Sequence, residues 1–362
     1  MFRRLVDELS RWLPWSPTMQ VVMLGIDYDT SCEERRTQFL NDFASRVQLT
    51  YRKGFSTPIR LVSGREITSD AGWGCMLRAT QMMLAQCFLS LVLGRDWRYD
   101  EETDLADGSV YVQLLSCFLD VPSAPFSVHN LVASGQQLLG KEPSAWFGPT
   151  SAAQSVGHVF RGLASSDKSL ALPDFLHGVA CEVFVDGTIY QETVLGRFSG
   201  GSKAVAIFVC RKLGLDAFNA DEYRAGLEAC FELPEFQGLA SGNSASSAHF
   251  FVGTHDDCLL FLDPHQTRPA LETVDAVRRG SAETGLQGAR PLPLRWSRLN
   301  SSICMCFLAK SPEGFLELCC KLCNTPRSDI IEVLEREPCY DGCHEMTETD
   351  DGDMVLLDHI EP

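Results

Sequence analysis

The chain has little positive charge to offer: 31 Lys and Arg stand against 48 Asp and Glu, a formal net charge of -17. Eight of the acids and no base fall from Asp341 onward, and the body without this tail is still acidic. With no basic face to neutralise phosphates, nucleic-acid binding and attraction to an anionic membrane are both disfavoured. Long hydrophobic runs are also missing. The longest nearly apolar stretch, residues 82–93, is interrupted by Gln86 and is too short for the ~30 Å hydrocarbon of a bilayer, so it reads as a buried core helix. No hydrophobic leader precedes a cleavage site, and the 15 cysteines are odd in number and irregularly spaced. A secreted disulfide framework is therefore not expected, and the protein is placed in the reducing cytoplasm. There is no internal repeat and no G-x-S-x-G elbow. The Gly200, Gly201, Ser202, Lys203 cluster precedes a strand and not a helix, so it is a turn and not a phosphate cradle.

What is present suits a large core: 362 residues with 45% hydrophobic content. In residues 1–15, Phe2, Leu5, Val6, Leu9, Trp12 and Leu13 fall at helical spacing between charged residues, an amphipathic segment ended by Pro14. From Cys75 to about residue 170 the pattern is mostly helical, with a loop at residues 121–126 and a Trp146, Phe147, Gly148, Pro149 break. The period then changes. Residues 180–185, 204–210, 250–253 and 258–262 are short apolar runs of the kind found in central strands. The expected fold is α+β, helices first and sheet second, with a domain over residues 16–338 and an acidic, flexible tail over 339–362. Residues 235–247, rich in Gly, Ser, Ala and Asn, read as a loop long enough to be a moving lid.

The most informative stretch is TSDAGWGCMLRATQM, residues 68–82. Gly72 and Gly74 allow a turn, and the proline-free apolar run after Cys75 is helical, which places Cys75 at a helix N-terminus. There the free amides and the positive dipole end favour a thiolate. Such a nucleophile needs a base and a group to orient it. His249 and His265 each border an expected strand. The order cysteine, histidine, then a third group favours His249 followed by Asp263. The Asp263, Pro264, His265 run favours His265, since residues separated by one in an extended segment share a face and Pro264 holds Asp263 extended. The residues alone leave both open.

The stretch 68–82, with Thr50, Tyr51, Arg52, Lys53 before it and LDPH at 262–265 after it, resembles the autophagy cysteine proteases, or autophagins. AWFGP (145–149), LGLD with Asn219 (213–219), CFELP (230–234) and SAHFF (247–251) fall in that family's order, and the likeness spans about residues 40–335. The resemblance implies a papain-like core with Cys75 as nucleophile, His265 as base and Asp263 as its orienting partner, leaving His249 a structural histidine. It also implies that Tyr51 offers its hydroxyl to the developing oxyanion beside the Cys75 amide, and that Trp146 covers the cleft. The lid would lie over it, its gating positions being Glu235, Gly238, Gly242 and Ser247.

The implied substrate is a ubiquitin-like autophagy modifier, cleaved after its C-terminal glycine both as a precursor and as its phosphatidylethanolamine conjugate. The enzyme would be a monomer, without cofactor or metal, touching membrane only through its substrate. Two other readings compete: a papain-like deconjugase for ubiquitin or another modifier, and a non-catalytic modifier-binding adaptor. The acidic tail lacks the aromatic-x-x-aliphatic docking motif of many family members, and Phe315 to Leu318, which fits its letters, sits in a packed helix pattern. Cys320, Cys323, Cys339, Cys343 and His344 have spacings a zinc ion could use, but a helix separates the pairs, and no metal is assigned to them.

Overall fold

Short apolar runs bounded by turns become the strands of one nine-stranded sheet: β1 (Gln20–Met23), β2 (Ile26–Asp29), β3 (Val179–Phe184), β4 (Ala204–Lys212), β5 (Phe236–Ser244), β6 (Ser247–His255), β7 (Cys258–Leu262), β8 (Leu292–Arg295) and β9 (Ser302–Ala309). The computed structural model describes residues 20–165, 173–215, 217–244, 247–324 and 330–338. The segment 1–15 and the tail 339–362, with Cys339, Cys343 and His344, lie outside them.

The strand order is β8, β7, β6, β5, β9, β4, β3, antiparallel except for the β3 and β4 pair. β5 covers one edge of β6 over residues 247–251, and β1 takes over the same edge from residue 253. Alternate residues of each central strand enter opposite cores. Ala206, Phe208 and Cys210 of β4 join one cluster, and Val205, Ile207 and Val209 join the other. Burial on both faces is why these strands read as continuous apolar runs.

On the first face lie α1 (Glu33–Ala44), α2 (Cys75–Val92), α3 (Val110–Ser116), α4 (Val128–Leu139) and α5 (Pro149–Ser165). On the other face lie α6 (Ala220–Glu232), through Leu227 and Phe231, and α7 (Pro312–Cys323), through Phe315 and Leu318. The packed-helix reading of residues 315–318 is thereby met. Helix α2 is long and apolar enough to cross a membrane by length and composition, but 89% of that window is buried in the protein. It is the core helix of the first layer, against β5 and β6, and it carries Cys75 to one end of the sheet.

Two expectations fail. Helices and strands are not fully segregated, since β1 and β2 precede the helical half and join the sheet. Residues 236–244, expected as part of a lid, form the long strand β5 at the centre of the sheet, paired on both sides.

Candidate active site

Cys75 opens α2, with Gly74 as the residue before the first helical turn. Gly72 has φ 87°, which a residue with a Cβ rarely adopts. Gly74 has an ordinary φ of -84° but no room, because a Cβ there would lie 2.6 Å from Asp70 Oδ2. The carbonyl of Asp70 accepts the amides of Trp73 and Gly74 at 3.2 and 2.9 Å. The turn is thus pinned from behind, and the thiol is fully buried.

Asp263, Pro264 and His265 leave the end of β7. Their backbone is held by two neighbours: Gln48 Nε2 donates to the Asp263 carbonyl at 3.0 Å, and the Tyr51 amide to the Pro264 carbonyl at 2.8 Å. The Arg268 amide returns a bond to the Tyr51 carbonyl at 2.9 Å, and Arg52–Lys53 pairs parallel with Arg268–Pro269. One strand segment therefore docks Tyr51 beside the histidine. His265 Nδ1 donates to Asp263 Oδ1 at 2.5 Å, and the His265 amide reaches the same oxygen at 3.1 Å. The two side chains share a face across Pro264, as the extended spacing requires.

His249, on β6, lies nearby without replacing His265. Its ring is 4.3 Å from Phe261 and 5.2 Å from His265, its Nδ1 is 3.7 Å from Asp263 Oδ1, and its Nε2 is 3.2 Å from Ser247 Oγ. It walls in the carboxylate that His265 uses.

The electrostatics follow from these contacts. Burial pushes the Cys75 thiol up, but hydrogen bonding from His265, Tyr51, Trp146 and the Ala248 backbone outweighs it, and the net value is below that of an ordinary thiol. Asp263 first, then the Cys75 thiolate, raise His265 to about 9 against its burial. Burial also pushes Asp263 up, yet His249 and His265 hold its carboxyl well below the usual range. Tyr51 is raised well above an ordinary phenol by burial and then by the charge of Cys75, so it stays a donor. The buried Cys117, Cys230 and Cys319 go the other way, each up to about 12. Among the described cysteines with a shifted thiol, Cys75 alone moves down.

The arrangement can hold a thiolate beside an imidazolium, with the imidazole tautomer fixed by a carboxylate and a hydroxyl aimed at the same sulfur. The Tyr51 and His265 rings meet edge to face, 5.4 Å apart at 88°. His265 Nε2 and Trp146 Nε1 act on the thiol, yet neither closes an aligned hydrogen bond, a looseness common at active sites before substrate arrives. A cavity of about 650 Å³, lined by Phe160, Arg161, His177 and Arg197, lies elsewhere.

Trp146 stands half-buried beside the thiol, its carbonyl accepting Lys141 Nζ at 3.2 Å. The other gating positions do not form a lid. Glu235 pairs with Lys321 at 2.6 Å on the far side of the chain. Gly238 has φ 112° and no room, a Cβ there falling 2.5 Å from the Phe250 ring and 2.8 Å from the Phe251 carbonyl. The Gly242 carbonyl accepts the Asn300 amide at 2.7 Å, and Ser247 bonds His249. Small residues serve close packing of β5 here, and composition alone could not tell that from a flexible loop. Residues 245–246, between β5 and β6, lie outside the described residues.

Sequence reasoning missed Asp70, Arg78 and Asp120. Arg78 Nε donates to Asp70 Oδ2 at 2.7 Å and its Nη2 to Asp120 Oδ1 at 2.8 Å, all nearly solvent-free. Two charged residues inside the apolar 68–82 stretch were the available signal. As for metal, His249, Asp263 and His265 form the one group among the described residues with ligand atoms within 4.8 Å of one another. A cation there would have to break the Asp263 and His265 bond. Cys320 and Cys323 are exposed on α7, and Cys339, Cys343 and His344 lie outside the described residues.

Residues 36–321 match the model of the peptidase C54 catalytic domain. The "Probable cysteine protease atg4" of Penicillium rubens is 31% identical over 344 residues, covering 89% of this chain and 80% of the relative. The "Cysteine protease atg4" of Emericella nidulans is 30% identical over 345 residues, covering 88% and 82%, and the Aspergillus niger "Probable cysteine protease atg4" is 37% identical over 257 residues, covering 64% and 59%. A match of that extent, on a papain-like α+β body in which the acidified thiol of Cys75 faces a histidine and a carboxylate, makes this chain a cysteine peptidase of the C54 family.

Proposed function

We propose that the enzyme hydrolyses the bond after the C-terminal glycine of a ubiquitin-like autophagy modifier, both in the precursor and in the phosphatidylethanolamine conjugate. Each substrate presents the same group, a glycyl amide, with a peptide nitrogen in one case and the ethanolamine nitrogen in the other. The observation that carries this reading is the pairing of Cys75 with His265, buttressed by Asp263 at 2.5 Å.

In this mechanism the Cys75 thiolate attacks the glycyl carbonyl carbon, and the carbonyl oxygen takes the negative charge. The Tyr51 hydroxyl and the Cys75 amide donate to that oxygen. The imidazolium of His265 gives its proton to the leaving nitrogen, the C–N bond breaks, and a thioester remains on Cys75. His265, now neutral, takes a proton from water as the water attacks the thioester. The modifier leaves with a free glycine carboxyl, which releases its proton to solvent, and the thiolate and imidazolium are restored. Asp263 holds Nδ1–H throughout and stabilises the imidazolium.

A glycine at the scissile position suits a thiol covered by Trp146, because a side chain there would collide with the wall. The proposed setting is the cytoplasm, with the enzyme as a monomer that meets membrane through the conjugate. The test is a panel of modifier fusions with Cys75→Ala as control. Cleavage restricted to the autophagy modifier and abolished in the control supports the reading. Cleavage of ubiquitin fusions instead identifies a deconjugase, and binding without turnover an adaptor.

A further inference from the structure

The three chain segments that supply the site are joined behind it by one buried ring of charge. Asp70 Oδ1 accepts the Arg52 amide, the residue after Tyr51, at 2.6 Å. Asp70 Oδ2 accepts Arg78 Nε at 2.7 Å, one turn beyond Cys75 on α2. Arg78 passes the connection to Asp120, whose Oδ2 accepts the Leu271 amide at 2.8 Å and whose own amide donates to the Leu271 carbonyl at 2.7 Å. Leu271 and Pro269 lie in the segment that follows His265, and the Arg52 guanidinium closes the ring on the Pro269 carbonyl at 3.1 Å. Asp70, Arg78 and Asp120 are each 2% exposed or less, and so is Arg52.

Two Asp and two Arg in a dry interior are costly to desolvate, and an apolar set of equal volume would hold the fold at least as well. What apolar packing could not supply is direction. The links made by the Asp and Arg side chains are charge-assisted bonds whose angle and length are fixed, and they run from the oxyanion donor to the nucleophile to the base. Gly74 adds a constraint, since its Cα faces the Asp70 carboxylate too closely for any Cβ. The carboxylate also contributes to keeping the Tyr51 hydroxyl protonated.

We infer that Asp70, braced by Arg78 and Asp120, is a positioning residue of the reaction: it sets where the Cys75 sulfur lies relative to Tyr51 and His265. The inference rests on the cysteine-peptidase chemistry and not on which modifier is cleaved, so its first readout needs no protein substrate.

The variant is Asp70→Asn, which keeps the shape and one acceptor but loses the charge that holds Arg78. Alkylation of Cys75 by iodoacetamide across pH is the first measurement, and kcat and KM on a modifier fusion the second. A misplacement of the order of 1 Å costs up to about 100-fold, so kcat should fall roughly 10- to 100-fold with KM changed less than about twofold. The alkylation profile should move to higher pH. The matched control is Asp42→Asn, at a second buried cluster away from the site, where Asp42 meets Arg46 at 3.1 Å and Arg95 at 2.6 Å. That variant should lose thermal stability while kcat and the alkylation profile stay at wild type. If Asp70→Asn behaves like Asp42→Asn, the ring is structural and the inference is overturned. If Asp70→Asn does not fold, Asp120→Asn takes its place: a several-fold loss in kcat with a shifted profile supports the ring, and wild-type values for both overturn it. Restoration of kcat when Arg78→Lys is compared with Arg78→Met would mark the charge, and not the volume, as the working part; equal loss in the two would count against it.

Discussion

The backbone amide of Tyr51 donates to the carbonyl of Pro264 at 2.8 Å, so the tyrosine is tied to the residue between Asp263 and His265. Its placement therefore does not depend on its hydroxyl. Tyr51→Phe should keep this bond and the edge-to-face contact with His265, and should lose the hydroxyl that donates to the Cys75 sulfur and to the oxyanion. The expected result is a fall in kcat of about 100- to 1000-fold, the usual effect of one such donor, with KM nearly unchanged. Steady-state kinetics on a modifier fusion check it, and a change confined to KM would make Tyr51 a binding residue.

The two histidines beside Asp263 should separate cleanly. His265→Ala removes the group that exchanges protons with the sulfur and should abolish nearly all turnover. His249→Ala removes a wall packed on Phe261, so it should act mainly by lowering the thermal midpoint, with a smaller kinetic loss. Asp263→Asn should fold and be impaired, because an amide keeps the shape but can present its NH2 to Nδ1 and misplace the tautomer. Greater loss in His249→Ala than in His265→Ala would reverse the assignment of the base.

The pH profile of kcat/KM should be a bell. Cys75 is depressed below the ordinary 9.0 and His265 is raised to about 9, so the ion pair exists between the two values, which belong to the pair as a whole. Activity should appear on an acid limb below the ordinary thiol range and disappear through about pH 9 as His265 deprotonates. Stability follows the same signs. The raised His265 contributes fully below its unfolded 6.5 and loses that contribution as pH climbs through about 9. The lowered Asp263 contributes above its unfolded 3.8 and loses it as pH falls below that value. Thermal midpoints of wild type and His265→Ala across pH should converge on the alkaline side.

Trp146→Ala should have opposed effects. Removing a side chain beside a fully buried thiol eases access for a small reagent, so iodoacetamide should alkylate Cys75 faster. The same change removes the wall for the substrate's glycine tail, so cleavage of a protein substrate should slow. Unchanged alkylation would leave Trp146 a core residue.

Gly238→Ala tests the strand against the lid. A Cβ at φ 112° and 2.5 Å from the Phe250 ring should cost about 1–3 kcal/mol from the backbone alone and more from the clash, read as a lower thermal midpoint. A mobile loop at this position would tolerate the change with no shift in melting.

The place of Cys75 at a helix start and the Asp263 and His265 pair were legible because each rests on local chemistry: a glycine turn into an apolar run, and two residues sharing a face across a proline. The choice of His265 over His249 was not local. Both histidines border strands, and only the three-dimensional route of β6 and β7 puts one ring on the sulfur and the other behind the carboxylate. β5 was misread because Gly238, Ala240 and Gly242 lower hydrophobicity in the same way whether a segment is loose or is pressed beneath a helix. Asp70 and Asp120 lie 50 residues apart, so no pattern in the chain announces that Arg78 joins them.

The covered thiol has a consequence for what can inhibit this enzyme. Cys75 is both acidified and wholly enclosed, so its reactivity toward any electrophile is its intrinsic rate multiplied by the fraction of molecules in which the cover is open. Each ~1.4 kcal/mol of closing preference lowers that product tenfold. A fragment too small to hold the cover open meets that penalty in full. An electrophile mounted on a protein-sized ligand recovers it through its contacts elsewhere, so small thiol-reactive compounds should label this cysteine slowly while a modifier-shaped probe labels it rapidly.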